Sequence, residues 1–354
     1  MKEENVFSSV VMPKEEMLEI KPEFKQLEIG IPKESSFQED RVVLTPDSVG
    51  FIVDNGHSII IEKGAGLGSN FTDQEYLDKG AKVAYDRKEV FKANTILKIE
   101  PPTKDEISFI NNGQQLISAI QTSTQPATYF NALNKKKISA LAFEFIKDQQ
   151  NKLPFVRIMS EIAGNTSILI ASEYLSTVNK GKGLMLGGIS GLTPTNVVII
   201  GAGTVGEYAC RASLGLGSSV IVFDNSITKL RRLQNNINHR VSTSTLQPKA
   251  LLKALRRADV VIAALQMGEG RVPCVVSESM IQRMKKGAVI IDVCIDQGGC
   301  FETSQLTSHK NPIFIKHDVI HYCVPNIASR VARTASMAIS NIIAPIIISI
   351  GEEG

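Results

Sequence analysis

An α/β fold of two doubly wound domains joined by long helices is predicted by three observations: short apolar runs separated by turn residues, helical stretches between those runs, and a β-branched strand that breaks at a glycine loop starting at Gly201. Parallel strands buried on both faces read as near-continuous apolar runs, and each needs a helical crossover to reach the next.

The runs come in order. LEIGIP (27–32), HSIIIEKGAG (57–66), TILKIEPP (95–102), QLISAI (115–120) and KISALAFEFI (137–146) read as strands of a first domain, with helices expected at 46–55 and 73–79. Between Ser160 and Asn179, Ile162, Leu169, Ile170, Tyr174 and Leu175 recur at helical spacing and predict a connecting helix. The run 196–200 opens a second domain, whose later strands are read in ADVVIAAL (258–265), AVIIDVCID (288–296) and NPIFIKH (311–317). Residues 330–350 read as a last helix that folds back on the first domain. The expected division is 1–26 as an N-terminal extension, 27–155 with 331–354 as one discontinuous domain, and 156–330 as the other.

Composition bounds the function. With 43% hydrophobic and 21% charged residues, 354 residues suffice for two ordinary cores. A net charge of +3 without a basic block argues against nucleic acid as a partner. Five cysteines, Cys210, Cys274, Cys294, Cys300 and Cys323, form no C-x-x-C pair, so neither a disulfide framework nor a zinc ribbon is indicated and a reducing cytoplasm is expected. The first 25 residues mix acids with short apolar stretches, unlike a secretory signal. The apolar stretch Met337 to Ile350, broken by Ser340, Asn341 and Pro345, is shorter than the roughly 20 residues a membrane span requires, so no membrane is expected. His317, His321 and Cys323 have spacing open to a metal, but closed sites need more ligands, and a role supporting the strand-end crevice is favoured; His57 reads as structural.

The segment NVVIIGAGTVGEYACRASLGLGSSVIVFDNS supplies a strand, a G-x-G-x-x-G turn, a helix and a second strand ending at Asp224. Gly201 permits the tight turn, Gly203 the approach of a pyrophosphate, and Gly206 close helix packing. Thr204 and Val205 open the helix, whose free N–H groups suit phosphates. Asp224, 18 residues past Gly206, suits the ribose hydroxyls and repels a 2′-phosphate, which favours NAD over NADP. Lys229 and Arg231 allow the opposite reading, though solvated surface charges are the plainer one. A bare glycine motif is only a strand-to-helix turn; the flanking strand, helix and acid make this a Rossmann dinucleotide-binding domain.

Separated segments carry a wider likeness: IGIPKE, EDRVVLTP, ILKIEPP, MSEIAGN, GLMLGGISGLTPTNVVIIGAGTVG, VIIDVCIDQGGCFE and HYCVPNI. From Leu27 onward the chain resembles the alanine dehydrogenase family, which is related to the NAD-binding alpha subunit of transhydrogenase. The resemblance implies NAD-dependent, reversible oxidative deamination of L-alanine to pyruvate and ammonia by a homo-oligomer, commonly a hexamer. It assigns Arg41 to the substrate carboxylate and Asp296 to the reacting centre. It adds Ser160, Asp224, Lys229 and Asn326 to the cofactor pocket, with Met159 and Glu161 nearby. A pair of Arg41 with Glu39 or Asp40, and a turn-forming role for Asp296, stand beside these readings.

Two positions depart from the family pattern. Glu100 stands where the resemblance implies a lysine, which reverses the local field toward a carboxylate. Gln121 stands at the implied histidine and has no proton to exchange near neutral pH. Lys98 alternates to the other strand face and is a poor replacement. Two functions follow: an amino-acid dehydrogenase with altered helpers, or an NAD-binding paralogue with an impaired site that acts as sensor or assembly partner. A transhydrogenase-like domain is disfavoured by IDQGGCFE.

Overall fold

The computed structural model describes residues 26–353 except Phe37, Ser123 and residues 267–269, so the expected extension lies outside the described residues save Gln26. The first sheet comprises β1 (Glu28–Ile31), β2 (Ser58–Glu62), β3 (Lys82–Ala84), β4 (Thr95–Leu97), β5 (Gln115–Ser118) and β6 (Ser139–Ala142). All pair in parallel, in the order β3-β2-β1-β4-β5-β6. The second comprises β7 (Asn196–Ile200), β8 (Ser219–Phe223), β9 (Ser242–Ser244), β10 (Val260–Ala263), β11 (Val289–Asp292), β12 (Ile313–Lys316) and β13 (Val319–Tyr322). Its order is β12-β13-β11-β10-β7-β8-β9, with β12 alone antiparallel.

In each sheet the winding reverses once, between β1 and β4 and between β7 and β10. Ligands of open α/β sheets bind outside the carboxyl ends of strands at such reversals. The segments leaving β1 and β4 carry Arg41 and Glu100, and the segment leaving β7 is the glycine loop.

Four helices position these segments: α1 (Pro46–Asp54), α2 (Pro154–Leu175), α3 (Thr204–Gly215) and α4 (Ala332–Glu353). α2 starts before the expected Ser160 because Pro154 sits at its first turn, where a missing N–H costs nothing, and it ends where Ser176 turns extended. It packs tightly on α3 at Gly164, where an added Cβ would lie 2.5 Å from the Val205 carbonyl oxygen. α4 drives Ile339, Ile343, Ala344 and Ile347 into the core of the first sheet, among Ile29, Leu44 and Leu97. The apolar stretch at 337–350 is part of a longer helical run, Ile327–Glu352, which is long and apolar enough to cross a membrane by length and composition; half of its most apolar 18 residues are buried inside the protein.

Three strands escaped the sequence reading. β3 and β9 are three-residue edge strands, and β13 lies in a stretch read for its histidines, for Cys323 and for the HYCVPNI likeness but not as a strand. KISALAFEFI is strand only over its middle, since Phe143–Phe145 coil into a short 3₁₀ turn.

Candidate active site

A cleft of about 880 Å³ lies between the carboxyl ends of the two sheets. Arg41, Glu100, Gln121, Ser160, Gly203, Thr204, Val205, Asp224, Lys229, Asp296 and Asn326 all line it; Gly201 and Gly206 do not. Those two glycines shape the loop from behind. Gly201 holds φ at +115°, and a Cβ there would lie 2.3 Å from the Ala264 carbonyl oxygen. A Cβ on Gly206 would lie 1.9 Å from the Gly201 carbonyl oxygen. Gly203 differs: nothing stands within 4 Å of where its Cβ would be, so the missing side chain leaves open cleft. Gly203 also caps α3 without any side-chain bond, leaving the first-turn N–H groups free for an anion.

Asp224 is buried at the end of β8. Its Oδ2 accepts from Ala202 N–H at 2.8 Å and its Oδ1 from Ser226 N–H at 2.7 Å. Each oxygen keeps a lone pair toward the cleft, as a sugar diol would need. Lys229, one turn along, is exposed on the rim. An open glycine, an uncapped helix start and a fixed carboxylate together fit a dinucleotide.

At the other end of the cleft, Arg41 is buried and already paired. Its Nε donates to Glu39 Oε1 at 2.7 Å, and its Nη2 pairs with Glu39 Oε2 and lies 3.3 Å from Glu100 Oε1. Among the described residues its Nη1 reaches only the Met159 thioether, at 3.4 Å. The ion pair with Glu39 weighed in the sequence thus exists, but it is buried rather than exposed. Burial alone would raise the Glu39 carboxyl, yet the hydrogen bonds and charge of Arg41 outweigh it and hold the group below its ordinary range. Glu100 moves the other way, raised by burial and then by the Glu39 charge against the pull of Arg41.

Gln121 donates from Nε2 to Glu100 Oε2 at 2.7 Å. It holds a left-handed φ of 54°, and Glu144 stabilises that conformation by accepting the Gln121 N–H at 2.7 Å and the Ile120 N–H at 3.1 Å. Lys98 is fully buried on the opposite side, between Glu34 at 3.2 Å and Glu106 at 3.1 Å, and does not face the cleft. Asp296 sits in a short 3₁₀ turn after β11 with its side chain exposed to the open cleft, while the protein crowded behind it takes away part of its hydration and raises its carboxyl.

The remaining expectations sort clearly. Ser160 donates its hydroxyl to the Val156 carbonyl at 2.7 Å, leaving its lone pairs to the cleft. Asn326 Nδ2 donates to Glu39 Oε2 at 2.9 Å, and Glu161 pairs outward with Arg157. His317 pairs with Glu278 on the surface, whereas His321 is buried against Thr303 at 2.8 Å, so the two diverge. His57 Nδ1 accepts the Leu27 N–H. Asp292, Cys294 and Cys300 gather within 4.8 Å in the core, where Asp292 accepts from the Cys294 thiol and the Ser304 hydroxyl as an ordinary buried acceptor. Sequence reading missed Glu144 and gave Glu39 no part in the site. No local motif marks Glu144, whose role depends on the bend at Gln121.

Two family patterns match the chain in tandem. The pattern described as "Alanine dehydrogenase/PNT, N-terminal domain" matches residues 30–163, and its C-terminal counterpart matches 167–354. An alanine dehydrogenase of Methanococcus maripaludis is 39% identical over 328 residues, 92% of this chain and 88% of that protein. One of Bacillus subtilis is 36% identical over 327 residues, 92% and 86% of the respective chains. A solved L-alanine dehydrogenase superposes with a TM-score of 0.87 at 34% identity, covering 93% of this chain and 91% of that one. A transhydrogenase from Sinorhizobium meliloti shares the fold at a TM-score of 0.82 and 22% identity, covering 92% and 95%.

Proposed function

We propose, from the premise that this chain belongs to the alanine dehydrogenase/PNT family, that it catalyses the oxidative deamination of an amino acid to the 2-oxo acid and ammonia. As a member of that family it is an NAD-dependent oxidoreductase of the two-domain α/β kind. The observation that carries the reading is the single cleft that joins Gly203, Thr204 and Asp224 at one end to Arg41 and Asp296 at the other.

NAD, when bound, supplies the hydride acceptor. The α3 start and Gly203 hold the pyrophosphate, and Asp224 holds the adenosine ribose. The Arg41 Nη1, facing only a weak thioether acceptor, is the nitrogen open to an α-carboxylate. Asp296 reaches the open cleft with its carboxyl raised by partial desolvation, and one of its carboxylate oxygens takes the amino proton. The discontinuous domain formed by 27–155 and 331–354 carries the substrate and 156–330 the nucleotide. We place the enzyme in the cytoplasm as a homo-oligomer, by family likeness.

L-alanine with NAD is the first reaction to test, followed by absorbance of reduced nicotinamide. Turnover of alanine or another L-amino acid supports the reading, and none across a panel of amino and oxo acids removes it. A second reading has its own support: with Arg41 filled by Glu39 and flanked by Glu100, the chain is a nucleotide-binding paralogue without turnover. NADH binding with no oxidation of any amino acid would favour it.

A further inference from the structure

A second cavity of about 450 Å³, open to solvent along Thr103, Lys104 and Thr128, adjoins the cleft, and Glu100 and Gln121 line both. Their 2.7 Å hydrogen bond is therefore the wall between the two spaces. The far side of this annex is lined by Thr103, Gln125, Thr128 and Tyr129. Tyr129 is only 8% exposed, and its hydroxyl has no hydrogen-bond partner among the described residues. A buried hydroxyl without a partner costs about 1–3 kcal/mol, which a ligand group can recover.

Charge decides which group fits. Glu39 takes up the Arg41 charge through two contacts, so Glu100, with one contact at 3.3 Å to the same guanidinium, is left in excess. Glu144 and Asp296 add negative charge along the adjoining cleft. Lys98 is committed to Glu34 and Glu106. Lys104 lines the annex as well, but its side chain is exposed at the rim, where water screens it, whereas the Glu100 side chain is 19% exposed. Arg41 offers the substrate one nitrogen rather than a two-pronged clamp, so the α-carboxylate alone anchors weakly. A second anchor of positive charge is what this wall lacks.

Resting on the dehydrogenase reading and narrowing it, we propose that the annex is the substrate side-chain subsite and that it takes an L-amino acid whose short straight side chain ends in an ammonium group. That ammonium replaces the Gln121 amide at Glu100 and extends toward the Tyr129 hydroxyl.

The test compares L-ornithine with L-norleucine, in which a methyl replaces the ammonium, by calorimetric titration of the full chain with and without saturating NADH. Ornithine is expected to bind at least about tenfold tighter, the scale of one charge-assisted hydrogen bond. Glu100→Gln should bring that ratio to within about twofold, and Tyr129→Phe, a gentler change, should reduce it several-fold. Circular dichroism establishes that each variant is folded. Equal or tighter binding of norleucine to the unaltered protein overturns the proposal whatever the variants do. Absence of any NADH heat would instead overturn the dehydrogenase reading, while the ornithine-to-norleucine ratio is still read on nucleotide-free protein.

Discussion

Glu39 holds Arg41 in a fork: Nε donates to Oε1 at 2.7 Å and Nη2 to Oε2, and Asn326 donates to that same Oε2 at 2.9 Å. The arginine that sequence assigns to a substrate carboxylate is thereby part of the fold as well as of the cleft. Removing one partner of a buried ion pair leaves the other charge uncompensated, at a cost of about 3–5 kcal/mol. Arg41→Gln is therefore expected to lower the free energy of unfolding in urea by about 3 kcal/mol. The double variant Arg41→Gln with Glu39→Gln should lose clearly less, because the more deeply buried Glu39 charge goes with its partner and only the longer Glu100 contact at 3.3 Å is left unmatched. A double-variant loss equal to the Arg41→Gln and Glu39→Gln losses added together would mean that the two residues are not coupled.

The glycine loop separates binding from folding. Gly203→Ala adds a methyl that meets nothing in the protein but stands in the cleft where phosphate approaches. NADH affinity, followed by fluorescence, should fall about tenfold, equivalent to about 1.4 kcal/mol, with the melting temperature nearly unchanged. Gly206→Ala places its methyl 1.9 Å from the Gly201 carbonyl oxygen, so it should destabilise the chain by about 1–3 kcal/mol before any ligand is added. If both variants melted like the parent and bound NADH equally well, the loop would not be the phosphate cradle.

The contrast among these residues explains what was readable in the chain. β10, and β7 after its half-buried Asn196, are runs of buried β-branched and small apolar residues, and a glycine loop with a distant acid has a fixed spacing, so the fold and the glycine-loop end of the cleft could both be read locally. β9 is Ser-Thr-Ser on a sheet edge and carries no apolar signal. The pairing of Glu39 with Arg41 was open to reading from proximity, but its burial was not, because Asn326 closes it from 287 residues away. Likewise the annex exists only where the segment after β4 meets Tyr129, a meeting that no spacing encodes.

His321 makes stability depend on pH. Burial pushes its imidazole down from 6.5 to about 4, with Nδ1 donating to the Val319 carbonyl and Nε2 accepting from the Thr303 hydroxyl. The folded value is below the unfolded one, so between these limits the unfolded chain binds more protons. Stability is therefore lost as pH falls from 6.5 toward 4, at up to roughly 1.4 kcal/mol per unit. His321→Gln, which cannot titrate, should be less stable than the parent near pH 7.5 for want of the ring stacked on Phe314, yet should lose about 2 kcal/mol less between pH 7.5 and 4.5 in urea titrations. Parallel pH curves for the two proteins would refute this assignment.

The last segment of the chain reaches the site through three serines, Ser329 in the turn just before α4 and Ser336 and Ser340 within it. Asp40, Val42 and Thr45 donate their backbone N–H groups to the hydroxyls of Ser329, Ser336 and Ser340, each at 2.9 Å, so the segment bearing Arg41 takes its hydrogen bonds from the far end of the chain. Ser336 is fully buried and also meets the Ser69 hydroxyl at 2.8 Å. Ser336→Ala leaves the Val42 N–H buried without an acceptor, which costs about 1–3 kcal/mol. Because Val42 adjoins Arg41, hydrogen exchange at the Val42 amide should quicken by about tenfold or more, the scale of the bond lost. Met337→Ala, one residue along on an exposed face, should leave that amide as slow as in the parent. Unchanged exchange in Ser336→Ala would mean that the Arg41 segment is fixed by its own packing and that α4 contributes only apolar contact.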